Sequence, residues 1–294
     1  MPKVTVVIAT YGWPEVLPYS IGSVLAQTFT DFELLVIGDG CADETEDVVR
    51  PFTLADDRVR WINLPENTRH QTGPNNEAIR VARGTHLAYL GHDDLWLPNH
   101  LDVVLGALPV PDGASHSLAA GIGVDIPLFL CPGNPMPFGT WQWIPPSVTL
   151  QPVAALRAVG GWKTPQELVT EIPEVSVNKR LEAAGVLTRV ALRLTALKLP
   201  ANARPNVYAE RPSHEQAYWA EQIATRPNLE AELLGEIMSH RRVPDWPGLP
   251  APSLRRGAAE FWAALQNRAR RRPPVAHGNQ PGWHEVARKK KGLD

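Results

Sequence analysis

The sequence predicts an α/β fold with a mostly parallel central sheet flanked by helices, followed by a helical C-terminal appendage. Three observations predict it. Across residues 1–105, short β-branched runs alternate with amphipathic segments, the pattern of repeated βα units. Two of those runs end abruptly on polar residues, Val4–Thr10 at Tyr11-Gly12 and the run into Leu90 at Asp93-Asp94, as strands do where a parallel sheet opens onto a ligand. Beyond residue 206, apolar residues recur at helical spacing behind capping residues.

Each element follows from local signals. Val4–Thr10 reads as a strand and Glu15–Gln27 as a helix, with Pro14 in its first turn where a missing N–H costs nothing. Phe32–Ile37 is a strand and Asp43–Val49 a helix, for which Asp43 and Glu46 have capping-box spacing. Val59–Leu64 is a strand, Asn75–Ala82 a helix, His86–Leu90 a strand, and Leu95–Leu101 the start of a helix. From Pro109 to Pro146 the chain is rich in Gly and Pro, with a Trp141-Gln142-Trp143 cluster, and is expected to hold extra strands and substrate-facing loops. Val153–Val159 and Glu174–Ala184 read as helices stopped by Gly160-Gly161 and Gly185, with Leu187–Leu197 as one or two strands between them and the appendage. Within the appendage, helices are expected from Ser213, over Asn228–Ser239 and over Leu254–Arg268.

Composition narrows the functional classes. At 294 residues the chain can bury a substantial core, and its formal net charge of −2 hides an asymmetry. The stretch from Arg268 to Asp294 is about +6, which leaves the rest at about −8. Residues 270–294 mix Arg, Lys, Pro and Gly with few apolar residues, so they are expected to be a disordered basic tail, with contact to anionic lipid as a second reading. No nucleic-acid-binding motif accompanies that charge, so no nucleic acid partner is expected. Cys41 and Cys131 are the only cysteines and have no metal-ligand spacing, so a reducing cytoplasm is the expected location. MPKVTVVIAT enters a strand without the order of a secretion signal, and Leu118–Cys131, with Asp125 and Pro127, is too short to span a bilayer.

Asp93 and Asp94 are the first candidates for chemistry. Hard cations favour carboxylate oxygen and commonly hold a substrate diphosphate through one or two carboxylates. The alternative is that the pair caps the next helix. In the wider sequence, VTVVIATYGWPEVLPYSIGSVLAQTFTDFELLVIGDG, then DDRVRWINLPENT, then ARGTHLAYLGHDDLWLP resemble the N-terminal half of a family 2 glycosyltransferase with the GT-A fold. The resemblance is close over residues 3–105 and continues weakly to Gly185 through LRAVGGW and RLEAAG. It implies a nucleotide-sugar-binding half over 1–110 and an acceptor-binding half over 111–205, with 206–269 as the helical region and 270–294 as the tail.

The resemblance also implies roles. Thr10 and Tyr11 would cradle the nucleotide and Asp39 would read the base. His92, inside the altered motif, could ligate metal, contact ribose or phosphate, or face the core edge, and Arg69 lies in a loop that could approach the nucleotide or simply be solvated. Asp93 matches the metal-contacting carboxylate, with Asp94 beside it, and the metal would be Mn²⁺ or Mg²⁺. Gly91 stands where the family's LDxDD motif has its first Asp. Glu174 stands at the place of the catalytic base, with Glu171 as a reserve, and Trp141, Trp143 and Trp162 could stack on a sugar or pack in the core. The implied activity is inverting transfer from a UDP-, dTDP- or GDP-type sugar donor to an unidentified acceptor hydroxyl. Gly91 and Pro173-Glu174 leave a non-catalytic nucleotide-binding relative as an alternative, and the basic tail leaves a scaffold subunit as another.

Overall fold

A computed structural model describes residues 1–123, 128–131, 144–168, 171–242 and 288–293. The N-terminal part is a parallel α/β unit: β1 (Val4–Thr10), α1 (Leu17–Leu25), β2 (Phe32–Gly38), α2 (Thr45–Ala55), β3 (Val59–Asn63), α3 (Thr72–Val81) and β4 (His86–Gly91). Next come β5 (Leu95–Trp96), α4 (His100–Gly106), β6 (Ala114–Gly121), β7 (Phe129–Cys131), β8 (Thr149–Pro152), α5 (Val153–Ala158), α6 (Pro173–Ala183) and β9 (Thr188–Lys198). Three helices follow, α7 (Val207–Glu210), α8 (His214–Thr225) and α9 (Leu229–Arg242). The strands form one sheet in the order β3-β2-β1-β4-β8-β6-β9-β5, with β7 paired to β6. β1 to β4 are parallel where they pair, and β8 joins β4 antiparallel.

Strand periodicity explains the layering. Val4, Val6 and Ile8 of β1 with Leu34 and Val36 of β2 enter one core with Leu17, Ile21 and Val24 of α1, while Val7, Leu35 and Ile37 enter the opposite core with Ile79 of α3 and Leu181 of α6. Both sheet faces are therefore covered, as a parallel sheet requires. A third core seats Leu229, Leu233 and Ile237 of α9 on Leu95, Leu194 and Leu197. The described part of the expected helical appendage is thus packed on the sheet through α9.

Several expectations change. Asp93-Asp94 does not open a helix, because Leu95 and Trp96 form β5 against Ala196 and Leu197 of β9 and the helix begins at His100. Pro98 accounts for this, since a proline disfavours helical geometry in the residue before it. Asp43 and Glu46 do not form a capping box; Asp43 Oδ1 accepts from the Thr45 backbone and hydroxyl at 3.2 and 2.5 Å, and α2 starts at Thr45. The stretch expected as one or two strands is the single strand β9, with register shifts against β6. Leu254–Arg268, Trp141 and Trp143 lie outside the described residues. Residues 288–293 of the expected disordered tail are a helical turn and its exit, packed on the fold.

Candidate active site

Strand register brings the predicted residues together. Thr10 pairs with Gly38 and Ala9 with Gly91, so the residues that follow β1, β2 and β4 emerge side by side at one edge. β2 and β3 lie to one side of β1 and β4 to the other, the reversal of direction at which open α/β sheets form a ligand crevice. Thr10, Asp39, His92 and Asp93 are all buried there, and Tyr11 is half-buried beside them.

His92 is held on both ring nitrogens. Nδ1 lies 2.9 Å from the Thr10 hydroxyl and Nε2 lies 3.1 Å from the Tyr208 hydroxyl, with the ring packed edge-on against Trp13. Burial lowers its pKa, so the imidazole is neutral and divides donor and acceptor roles between the two hydroxyls. Its direct observed work is to lock β1, β4 and α7 together beneath the crevice.

Asp93 and Asp94 differ sharply. The Asp94 carboxylate receives the Ser147 hydroxyl at 2.5 Å and the Lys198 ammonium at 2.9 Å on Oδ2, and the Leu199 backbone N–H at 2.9 Å on Oδ1. It is an anchor joining the end of β4 to the end of β9, which is at odds with the expectation that it ligates metal directly. Asp93 is 8% exposed and its carboxylate makes no hydrogen bond among the described residues. Gly91 fits between them, because a Cβ there would lie 2.8 Å from Asp94 Oδ2 and 3.0 Å from Asp93 Oδ1.

Asp39 accepts from the Thr68 backbone and hydroxyl at 2.9 and 2.7 Å, and burial pushes its carboxyl above the ordinary range. This bond fixes the loop that carries Arg69, whose side chain is exposed and whose backbone is left-handed at φ 64°. Glu174 lies in the first turn of α6 and accepts from Gln71 Nε2 at 2.7 Å. Burial raises its pKa, while its own backbone N–H, Lys198, Gln71 and Lys291 pull against the rise. Glu171 pairs with Lys179 at 2.7 Å and is directed away from that role. Trp162 is buried and donates from Nε1 to the Tyr89 hydroxyl at 3.1 Å, which makes it a core residue.

Comparison with known proteins gives this edge a lineage. Residues 5–116 match the family model described as Glycosyl transferase family 2. Over 105 residues the chain is 31% identical to a UDP-Glc:alpha-D-GlcNAc-diphosphoundecaprenol beta-1,3-glucosyltransferase of Escherichia coli, covering 36% of this chain and 40% of that protein. An uncharacterized glycosyltransferase of Nostoc is 32% identical over 119 residues, covering 40% of this chain and 36% of the relative. Over residues 5–116 the chain is thus similar to glycosyl transferase family 2.

The chain spans well under two thirds of the length of these relatives. Solved structures agree on the fold. A mannosyltransferase from Pyrobaculum calidifontis, in complex with GDP-Man and Mn²⁺, aligns with TM-score 0.54 at 13% identity over 99% of this chain and 85% of that one. TarS residues 1–349 of S. aureus with UDP-GlcNAc align with TM-score 0.53 at 14% identity over 80% and 71%. The fold is GT-A.

Set against the family pattern, the site had residues that sequence reasoning missed. Lys198 holds Asp94, Tyr208 and Trp13 brace His92, and Gln71 holds Glu174. Lys291 stands within electrostatic reach of both Asp93 and Glu174. Lys198 ends β9, Tyr208 and Lys291 lie in C-terminal segments, and Trp13 and Gln71 stand just before helices, with no local motif to mark any of them. For a divalent cation, no group of three or more acidic, His or Cys side chains converges among the described residues. Asp93 alone suits the mode in which a hard cation takes one protein carboxylate and completes its shell with substrate phosphate and water.

Proposed function

We propose that this chain is an inverting, metal-assisted glycosyltransferase that moves a sugar from a nucleoside diphosphate donor to an acceptor hydroxyl. One observation carries the reading: strand register aligns the ends of β1, β2 and β4, and with them Thr10, Asp39 and Asp93, on one edge, while Gln71 in the loop before α3 holds Glu174. Asp39 retains acceptor capacity for a ring N–H of the base beyond its two bonds from Thr68. Asp93 would hold Mn²⁺ or Mg²⁺, and the bound cation would offset charge on the departing diphosphate. The fold likeness to proteins solved with GDP-Man and Mn²⁺ and with UDP-GlcNAc supports a nucleotide-sugar donor.

Glu174 would take the acceptor proton as the new glycosidic bond forms. Its raised pKa makes it a stronger base than a solvated glutamate, provided it is ionised. The rate should therefore fall as pH drops through a pKa above the ordinary glutamate range. Relatives in Escherichia coli and Campylobacter jejuni are named for diphosphoundecaprenol- and PP-undecaprenol-linked acceptors, which supports a role in glycan assembly. Among the described residues no helix is long and apolar enough to cross a membrane. A cytoplasmic location and peripheral contact with anionic lipid belong to the same proposal.

Donor consumption by the purified chain, across UDP-, dTDP- and GDP-sugars, tests the activity. Glu174→Gln should bind nucleotide like the parent while turnover falls about 10²–10⁴-fold. Parental turnover in that variant would remove Glu174 from the role.

A further inference from the structure

We propose that the turn at 288–293 is part of the donor site, with Arg288 and Lys291 binding the diphosphate. This rests on the nucleotide-sugar reading above and names the groups that meet the donor's charge.

The turn is fastened to the crevice by its backbone and by Arg288. The Arg288 guanidinium donates to the Arg69 carbonyl at 3.0 Å and to the Leu293 carbonyl at 2.9 Å. The Asn206 N–H donates to the Lys290 carbonyl at 3.0 Å. Gly292, at φ +80°, packs so closely that a Cβ would lie 3.3 Å from Ala209 Cβ and 3.4 Å from Asn206 Cα. Among the described residues three non-glycines are left-handed, Arg69, Asn206 and Arg211. Two of the three give a backbone group to this turn. Left-handed non-glycine backbone persists where its surroundings over-determine it, and it clusters at functional sites.

Charge gives the turn its purpose. Asp39, Asp93, Asp94 and Glu174 ring the crevice, and an anionic diphosphate would be repelled by carboxylates alone. Lys198 is committed to Asp94. Arg288 lies within electrostatic reach of Asp39 at the base end, and Lys291 within reach of Asp93 and Glu174 at the reacting end. The two cations thus span the path a diphosphate must follow between base and sugar. An Arg fork and a Lys point charge are both well suited to phosphate oxygen. Lys289 and Lys290 are exposed and serve as controls of equal charge.

Calorimetric titration of the full chain with inorganic diphosphate, with UDP, dTDP and GDP, and with the matching nucleosides tests this. The variants are Arg288→Ala, Lys291→Met, which keeps an apolar stem, and the control Lys289→Ala/Lys290→Ala, each checked for an unchanged thermal midpoint. Arg288→Ala and Lys291→Met should each weaken diphosphate and nucleoside diphosphate binding about 10- to 100-fold and leave nucleoside binding and the control unaffected. Equal or tighter binding by both variants would overturn the proposal, the latter marking the turn as a plug, while the donor reading stands. Diphosphate binding that depends on both residues, with no gain from any nucleoside, would support the turn and count against the donor reading. A chain that binds neither diphosphate nor nucleotide would overturn both.

Discussion

Gly91 marks where this chain departs from the carboxylate-rich motif it otherwise resembles, and the geometry gives the reason. Asp94 is held by three donors from Ser147, Lys198 and Leu199, so it cannot yield to a side chain 2.8 Å away. Gly91→Ala should therefore destabilise the fold by about 1–3 kcal/mol, read as a lower urea midpoint, as overpacking does in a filled interior. An unchanged midpoint would mean that Asp94 is free to move. His100 offers a second residue-scale test. It is fully buried, stacked on Trp96 at 4.1 Å, and bonded through Nδ1 to the Thr195 hydroxyl at 2.8 Å, and burial lowers its pKa to about 3. The unfolded state then binds the proton first, so the neutral ring's contribution is present above the ordinary value of 6.5 and is lost as pH falls toward about 3. The stability advantage of the parent over His100→Gln should shrink by about 1.4 kcal/mol between about pH 7.5 and about pH 5.5. A pH-independent difference would show that His100 is already protonated or stays solvated.

Elements were legible where their periodicity was local. β1 and β2 alternate between two cores, so their apolar runs announce strands covered on both faces. β5 was not legible, because two residues carry no period and Leu95-Trp96 becomes a strand only through β9, far along the chain. The α9 stripe of Leu229, Leu233 and Ile237 was visible as a helix, but its partner surface on β5 and β9 was not. Leu233→Ala should cost about 2–5 kcal/mol, the range for truncating a buried leucine, and lower the thermal midpoint of the whole domain. If α9 instead melted in a separate transition, the third core would not be continuous with the sheet.

For the whole molecule, the candidate site is a product of topology more than of motifs. Thr10, Asp39, His92 and Asp93 could be found from the sequence because they lie at or within two residues of a strand end. Lys198 and Tyr208 reach the same place only through β9 and α7, and the basic turn was masked by a composition that reads as a solvated tail. The same topology divides the two aspartates, making Asp94 the anchor and leaving Asp93 as the carboxylate proposed to meet the metal. That division is tested most directly by titrating nucleoside diphosphates into the parent and Asp93→Asn, with and without Mn²⁺. The parent should bind one nucleoside diphosphate more tightly when Mn²⁺ is present, and Asp93→Asn should lose that enhancement while keeping its thermal midpoint. Superimposable curves with and without Mn²⁺ in the parent, or full enhancement in Asp93→Asn, would contradict it.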